Sequence, residues 1–134
     1  MQRTITNPST IHKPFGYSHV AEVGQGRLVF IAGQVALDAN GGLVGQDDYA
    51  AQLRQAFSNL GAALAAAGAT LHDLIKVNYY CAESVDPAIQ IGALRAVRDS
   101  LLDTESPPVS TFVVVSRLAR PEFLVEIEGV AAMP

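Results

Sequence analysis

Apolar residues recur with two spacings along the chain, and the change between them outlines the secondary structure. The segment 27–37 is rich in β-branched and aromatic residues, which predicts a strand. Asn40-Gly41 then predicts a tight turn, because both residue types accept a positive φ, and Leu43-Val44 is expected to begin a return strand. The segment 74–81 alternates, which predicts a strand with one apolar face formed by Ile75, Val77, Tyr79 and Cys81.

Two other segments carry the spacing of amphipathic helices. The first can begin at Asp47 or Asp48 as cap and end near Gly68, and its apolar residues are Tyr49, Leu53, Phe57, Leu60 and Leu64. The second begins at Asp86-Pro87, because aspartate caps a helix and proline is tolerated at the first helical position. Its apolar stripe consists of Ile91, Leu94, Val97 and Leu101.

Two further strands, 110–116 and 123–132, complete the order strand, strand, helix, strand, helix, strand, strand. Because each helix links two strands, we expect one two-layer α+β domain over residues 1–134, with both helices on one face of a mixed sheet. The opposite sheet face would carry apolar residues such as Phe30, Ala32, Val113 and Val115. Such a face predicts self-association, since water would otherwise cover it.

The composition disfavours some classes of binding partner for this domain. The chain has 134 residues, 9 basic and 13 acidic, with a net charge of −4, and only two of the basic residues are lysines. Nucleic-acid binding depends on clustered positive charge, so it is disfavoured here. Neither a run of about 20 apolar residues nor an apolar signal core is present, so no membrane association is expected. The single cysteine, Cys81, suggests a reducing compartment, and we expect a soluble cytoplasmic protein.

Strong catalytic motifs are absent: the sequence contains no P-loop, dinucleotide fingerprint, zinc-ligand spacing or supported Ser-His-Asp set. His12, His19 and His72 lie far apart in sequence on different predicted elements, so none is selected as catalytic. Cys81 is interpreted as a small core residue, because it lies on an apolar strand face.

Three segments nevertheless carry candidate chemistry. Tyr17 lies in a Pro- and Gly-rich loop before the first strand, where a core anchor is the favoured interpretation and a hydroxyl directed into a pocket the alternative. Gly33 interrupts a strong strand, which indicates a bulge or a close approach to the backbone, for example by a ligand. Glu126 and Glu128 share a face of the last strand. Exposure is the favoured interpretation for both, but a buried carboxylate there would suit proton transfer.

Several pieces, in order, resemble the RidA/YjgF family, also called the L-PSP family, over nearly the whole chain. They are Gly16-Tyr17-Ser18, 30–35, Asp38 with Gly41-Gly42, 55–60 leading to 67–69, Lys76-Val77, 108–111 and 124–131. The resemblance implies a chorismate-mutase-like fold and a homotrimer, with sheets inward, helices outward and small-molecule sites in clefts between subunits. It also implies hydrolysis of reactive enamines and imines such as 2-aminoacrylate, with release of ammonia and without a metal or organic cofactor.

Transferred to this sequence, the family pattern assigns the pocket tyrosine to Tyr17, the pocket glycine to Gly33 and the catalytic glutamate to Glu126. The chain departs from the pattern elsewhere. Ala32 replaces the serine before the glycine, and Ile91 stands near the usual asparagine. The family arginine that grips the substrate carboxylate falls on Val109 or Ser110, and neither is cationic.

This lost arginine leaves the function open between hypotheses. Arg95, Arg98, Arg117 or Arg120 could replace it, but a surface position is favoured for each. The first hypothesis is an imine or enamine hydrolase whose substrate is neutral or bulkier than the 2-aminoacrylate type. The second is a non-catalytic ligand-binding or regulatory homotrimer that uses the same cleft. Ribonuclease activity is disfavoured by the acidic charge balance and by the lack of a plausible histidine pair.

Overall fold

A computed structural model describes residues 3–134. The strands are β1 (Arg3–Thr6), β2 (Val20–Val23), β3 (Arg27–Gln34), β4 (Leu74–Ala82), β5 (Val109–Val115) and β6 (Val125–Met133). The helices are α1 (Tyr49–Ala66) and α2 (Pro87–Leu101), and a short 3-10 helix, Leu71–Asp73, precedes β4. In the described part of the chain, no helix has the length and apolar character needed to cross a membrane.

Four strands form a mixed sheet in the order β3-β6-β4-β5, and β1 and β2 form a separate antiparallel pair. Within the main sheet β4 and β5 are parallel, whereas β6 runs antiparallel to both β3 and β4. Both helices pack on the same face of this sheet, over Val77, Tyr79, Val125 and Ile127, which are nearly inaccessible to solvent. The expected two-layer α+β architecture is therefore confirmed.

The helix boundaries follow from their capping residues. The Asp48 carboxylate accepts a hydrogen bond from the backbone N–H of Ala51 at 3.0 Å, so Asp48 rather than Asp47 caps α1. The Asp86 carboxylate accepts from the N–H of Ala88 at 2.9 Å, and Pro87 is the first helical residue, as expected. Gly68 follows the end of α1 with a φ of +79°, a conformation that favours glycine.

A buried glutamine ties α1 to the segment that leads into β6. Gln52 is inaccessible to solvent, and its amide nitrogen donates to the carbonyls of Gly45 and Glu122, both at 3.0 Å. Its side-chain oxygen accepts from the N–H of Leu124 at 2.9 Å. This side chain therefore satisfies three backbone groups in segments that form no regular ladder.

The N-terminal third of the chain differs from the sequence-based prediction. The return strand expected at Leu43-Val44 is wrong, because the segment forms only an isolated bridge between Leu37 and Leu43. Asp38 holds the intervening turn by accepting from the N–H groups of Asn40 and Gly42, and β3 takes β6 as its partner instead. The β1–β2 pair was not predicted.

The sheet face opposite the helices is uncovered in the single chain, and its edge strands β3 and β5 carry exposed apolar side chains there. Phe30 is 73% exposed on β3, Leu28 on the same strand is 51% exposed, and Val113 on β5 is 39% exposed. Exposed aromatic area of this kind is costly in water, so the face has the character of a contact surface.

Candidate functional site

The loop that carries Tyr17 is fixed to the start of β5 by the buried Ser18. The Ser18 hydroxyl donates to the carbonyl of Pro107 at 2.5 Å, and its N–H donates to the carbonyl of Pro108 at 3.2 Å. Ser18 also forms an isolated parallel bridge with Val109. These contacts bring Tyr17 to the outer edge of the sheet, beside Ser110.

A cavity of about 350 Å³ lies at this edge between β5, α2 and the loop. Its walls are formed by Phe15, Tyr17, Tyr79, Ile91, Leu94, Arg95, Arg98, Ser110, Thr111 and Phe112. Tyr17 is only half-buried and lines this cavity, so the core-anchor interpretation of this residue is wrong. Of the two residues at the lost arginine position, Ser110 lines the cavity, whereas Val109 belongs to the opposite face of β5.

Arg98 of α2 is buried against this cavity, so its expected place on the surface is wrong. The residue is 9% exposed, and its Nε donates to the Asp99 carboxylate at 3.0 Å. The guanidinium lies against the backbone at Gly16, where a Cβ would come within 2.6 Å of the guanidinium carbon. Gly16 also has a φ of +76°, so glycine is required at this position for two reasons.

Tyr79 also lines the cavity, but its hydroxyl oxygen is inaccessible to solvent. Tyr79 is 1% exposed, and its hydroxyl oxygen has no hydrogen-bond partner among residues 3–134. Burial raises the pKa of this hydroxyl far above its usual value, while the nearby Arg98 guanidinium partly offsets the effect. The group is therefore a neutral phenol with an unused donor and acceptor.

The other arginines divide into two kinds. Arg95 is exposed on α2 but lines the cavity together with Arg98. Arg117 and Arg120 are exposed and do not line it, and Arg120 lies 3.6 Å from the Glu122 carboxylate. The surface interpretation therefore holds for Arg117 and Arg120.

A second group of predicted site residues lies at the other side of the sheet, on β3 and β6. The pairing of β3 with β6 is irregular between Ile31 and Gln34, as the glycine at 33 indicated. A Cβ at Gly33 would lie 2.5 Å from Oε2 of Glu126, so the close approach is made by the Glu126 carboxylate itself. Ala32, the neighbour of Gly33, is exposed on the same uncovered sheet face as Phe30.

The two carboxylates of β6 have different surroundings. Glu128 accepts hydrogen bonds from the Tyr80 hydroxyl at 2.5 Å and from the Asn78 amide at 3.2 Å, and this interaction raises the pKa of Tyr80. Glu126 has no hydrogen-bond partner in the part of the chain described. Both are half-buried rather than fully exposed. Glu126 is therefore the carboxylate available for chemistry.

The histidines are closer together than their sequence positions indicated. His12 Nε2 lies 2.7 Å from the Tyr17 hydroxyl, and the rings of His12 and His19 are 4.8 Å apart at their centroids. The interpretation that these residues occupy separate elements is wrong, because the loop folds back on itself. His72 lies elsewhere, in the 3-10 helix before β4.

The single chain does not unite the two groups of site residues. Ser110 faces the helix layer from β5, whereas Glu126 faces the uncovered side from β6, with β4 between them. Two strand spacings correspond to roughly 10 Å across the sheet. In a single chain, Tyr17 and Glu126 therefore do not line a common cavity among the described residues.

Three other features do not contribute to a site. Cys81 is inaccessible, and burial raises the pKa of its thiol, in agreement with its interpretation as a core residue. No group of metal-ligating side chains is present in residues 3–134. A larger cavity of about 530 Å³ lies between α1 and α2, but it contains none of the predicted site residues.

The profile of the family described as Endoribonuclease L-PSP matches residues 7–133. The chain belongs to the L-PSP family. It is 33% identical over its whole length to the RutC family protein YjgH of Escherichia coli, of which it covers 98%. It is also 38% identical to a RutC family protein of Pyrococcus horikoshii, with 89% of each chain covered. The crystal structure of a Rid-family protein of unknown function, YyfB from Yersinia pestis, has a TM-score of 0.86 at 39% identity, covering 99% of this chain and all of that one.

Within this L-PSP-family fold, two of the residues selected from the sequence, Tyr17 and Ser110, line the cavity, and several of their neighbours were missed. Ser18, Tyr79 and His12 were not selected, and Arg98 was only one of four open alternatives. A signal existed for Arg98, since it lies one turn after Leu94 on the buried side of α2. An arginine on an apolar stripe indicates a buried charge that needs a partner.

Proposed function

We propose that this protein hydrolyses imines or enamines in a cleft formed between two copies of the chain. The observation that carries the proposal is the Glu126 carboxylate against the bare backbone of Gly33. The missing side chain at Gly33 leaves room for this carboxylate, and a carboxylate without a hydrogen-bond partner among the described residues can accept a proton from water.

The chemistry requires few groups. An enamine first tautomerises to an imine, and protonation of the imine nitrogen makes its carbon electrophilic. Water then adds to that carbon and loses a proton to Glu126, and the resulting carbinolamine expels ammonia to leave a carbonyl product. The balance is imine plus water giving carbonyl compound plus ammonia, so the reaction needs no oxidant or reductant.

The proposal includes a homotrimer, in which the cavity half of one subunit meets the Gly33 half of its neighbour. Two observations support association. The uncovered sheet face exposes Phe30 and Leu28. In addition, the halves that carry Tyr17 and Glu126 lie on different faces and edges of one chain. A second copy of the chain would cover the exposed apolar residues and, by the same contact, complete the cleft.

The dimensions of the cavity favour a substrate larger than 2-aminoacrylate, which has only six heavy atoms. The side chains of Phe15, Ile91 and Phe112 form apolar walls around about 350 Å³. Serine at position 110 leaves more space than an arginine side chain would. We therefore propose an imine with a bulky apolar substituent.

The test is release of carbonyl product and ammonia from freshly generated imines of small and bulky amino compounds. We expect acceleration over buffer, greatest for the bulky class, and a loss of about 100-fold or more in kcat for Glu126→Gln. Glu128→Gln is the matched control, because its carboxylate is held by Tyr80 and Asn78, and we expect less than a tenfold change. Equal turnover in Glu126→Gln and wild type would refute the catalytic role.

The non-catalytic alternative makes a different prediction for the same assay. If no imine class is hydrolysed faster than in buffer while product-like ligands still bind, the protein is a binding or regulatory module. The histidine pair removes one argument against ribonuclease activity, but the net charge of −4 still disfavours binding of a polyanion.

A further inference from the structure

The cavity of about 530 Å³ between α1 and α2 lies outside the proposed imine site, and none of its residues takes part in that chemistry. Its apolar floor is formed by four buried or half-buried side chains, those of Phe57, Leu71, Val97 and Leu101. Concave, mostly apolar sites of about 300–1,000 Å³ are typical of small-molecule binding, and the space between neighbouring helices is one of their usual places. The cavity therefore has the size and the lining of a ligand site.

This cavity opens to solvent on the outer side of the helix layer. Ser58 on α1 and Ala96 and Ser100 on α2 line it and are exposed, whereas Phe57 and Val97 behind them are buried. The sheet face through which we propose that copies associate lies on the other side of the sheet from both helices. Association through that face therefore leaves this cavity accessible.

Gly61 gives the cavity part of its width. It lies in the interior of α1, where glycine destabilises a helix more than any residue except proline. Neither backbone nor packing requires glycine here, because its φ is not positive and a Cβ would meet only Cγ of Leu71, at 3.8 Å. A longer side chain would instead extend into the cavity, which this residue lines. Glycine thus weakens the helix and keeps the cavity open, which is an indication of function independent of the apolar floor.

The charge of the lining indicates the kind of ligand. Arg54 is the only charged residue that lines the cavity within residues 3–134, and it pairs with no carboxylate in that part of the chain. Its side chain lies at the exposed rim, seven residues before Gly61 on the same helix. Seven residues of α-helix span roughly 10 Å, so the apolar floor is elongated and has one cation at its end. An extended apolar chain with a single terminal negative charge complements this arrangement.

We propose that the cavity between α1 and α2 binds a free medium-chain fatty acid. Its carboxylate pairs with Arg54, and its acyl chain lies over Phe57 and Val97 towards Gly61. Burial of the acyl chain provides most of the affinity, because the ion pair at the rim is exposed to water. This site is separate from the proposed hydrolase site and does not depend on that function.

The first test is calorimetry with hexanoate, octanoate and 1-octanol on the assembled protein. Each additional buried methylene should tighten binding about fourfold, so we expect octanoate to bind about tenfold more tightly than hexanoate. Octanoate should bind about two- to fivefold more tightly than 1-octanol, the effect of one exposed ion pair. No binding of octanoate at millimolar concentration, or equal affinity for the two acids, would overturn the proposal.

Variants locate the site. Gly61→Leu should weaken binding of octanoate and 1-octanol at least about tenfold, because the leucine side chain occupies the cavity. Leucine is the better helix former, so this variant should be at least as stable as wild type in urea unfolding. Gly92→Leu is the matched control, since Gly92 lies on α2 outside the cavity and a Cβ there meets no atom within 4 Å.

The role of Arg54 is tested by a charge-removing pair of variants. Arg54→Gln should bind octanoate only as tightly as 1-octanol, with binding of 1-octanol unchanged. Arg117→Gln, which removes an exposed arginine outside the cavity, should bind both probes as wild type does. An octanoate affinity that is the same in Arg54→Gln as in wild type would exclude Arg54 as the partner of the carboxylate.

Two further outcomes distinguish this proposal from its alternatives. A lower mass of Gly61→Leu than of wild type in light scattering would show that the cavity is a contact between copies and would overturn the ligand site. Octanoate binding that Gly61→Leu removes supports the site even in a protein that hydrolyses no imine. Octanoate binding that Gly61→Leu leaves unchanged refutes the site even where imine turnover is full.

Discussion

Replacing Gly33 by alanine tests the closest contact in the candidate site. The new Cβ would stand 2.5 Å from Oε2 and 2.7 Å from Cδ of Glu126, whereas ordinary contacts begin near 3.4 Å. The carboxylate must therefore move by about 1 Å, the difference between these distances. Misplacement of a reacting group by about this amount costs on the order of 100-fold in rate, so we expect kcat to fall by about that factor.

Gly33→Ala should change the free energy of unfolding much less than it changes kcat. The displaced atoms are the end of a flexible side chain, and Gly33 does not have a positive φ, so alanine fits its backbone. A glycine-to-alanine change at a compatible position commonly gains about 0.4–1 kcal/mol by restricting the unfolded chain. We expect the free energy of unfolding of Gly33→Ala to stay within about 1 kcal/mol of wild type.

The assay is imine turnover beside urea unfolding on the same preparations. Gly92→Ala is the matched control, because a Cβ there meets no atom within 4 Å and the residue lies on α2. It should keep full turnover and gain up to about 1 kcal/mol from helix propensity. Unchanged turnover in Gly33→Ala would refute the reasoning, since the Glu126 carboxylate would then not need its present position.

Three further predictions concern the fold and assembly. Gln52→Ala should lower the free energy of unfolding by about 2–4 kcal/mol, because three buried hydrogen bonds are lost; a change below about 1 kcal/mol in urea titration would contradict this. Backbone N–H groups of Ser106 and Glu105 lower the pKa of Asp103, so its stabilising effect is present above the unfolded-state pKa and lost as pH falls through the folded-state value. Thermal melts of Asp103→Asn should therefore show a deficit near neutral pH that disappears in strong acid, and a deficit independent of pH would count against this cause. Phe30→Asp should convert the proposed trimer into monomers in light scattering, because it puts a charge on the uncovered sheet face, and an unchanged mass would exclude this face as the contact.

Much of the fold could be predicted because its signals are local. The spacing from Tyr49 to Leu64 predicts the buried side of α1, and each of the five apolar residues named for it is buried. Aspartate caps at both helices and the alternation in β4 are also properties of adjacent residues. The predicted return strand failed because Asp38 satisfies the turn internally and β3 pairs with a strand almost a hundred residues later.

The candidate site also contains residues that could be predicted from the sequence and residues that could not. Tyr17, Gly33 and Glu126 could be selected because they stand in ordered family motifs. The burial of Arg98 and of the Tyr79 hydroxyl could not be predicted, since it depends on the packing of loop, helix and strand together. His12 and Tyr17 also meet only because the loop folds back on itself.

The sequence alone therefore predicted the two helices with their caps, the four strands of the main sheet, exposed apolar residues on its uncovered face, and the family. Periodicity, caps and motif order are carried by neighbouring residues, and no distant contact is needed to establish them. The tertiary structure decided which arginine is buried, which of the two β6 carboxylates lacks a hydrogen-bond partner among the described residues, and how far apart the two groups of candidate residues lie. Those properties arise from atoms brought together across the sheet, where burial and pairing are set by every element that packs there.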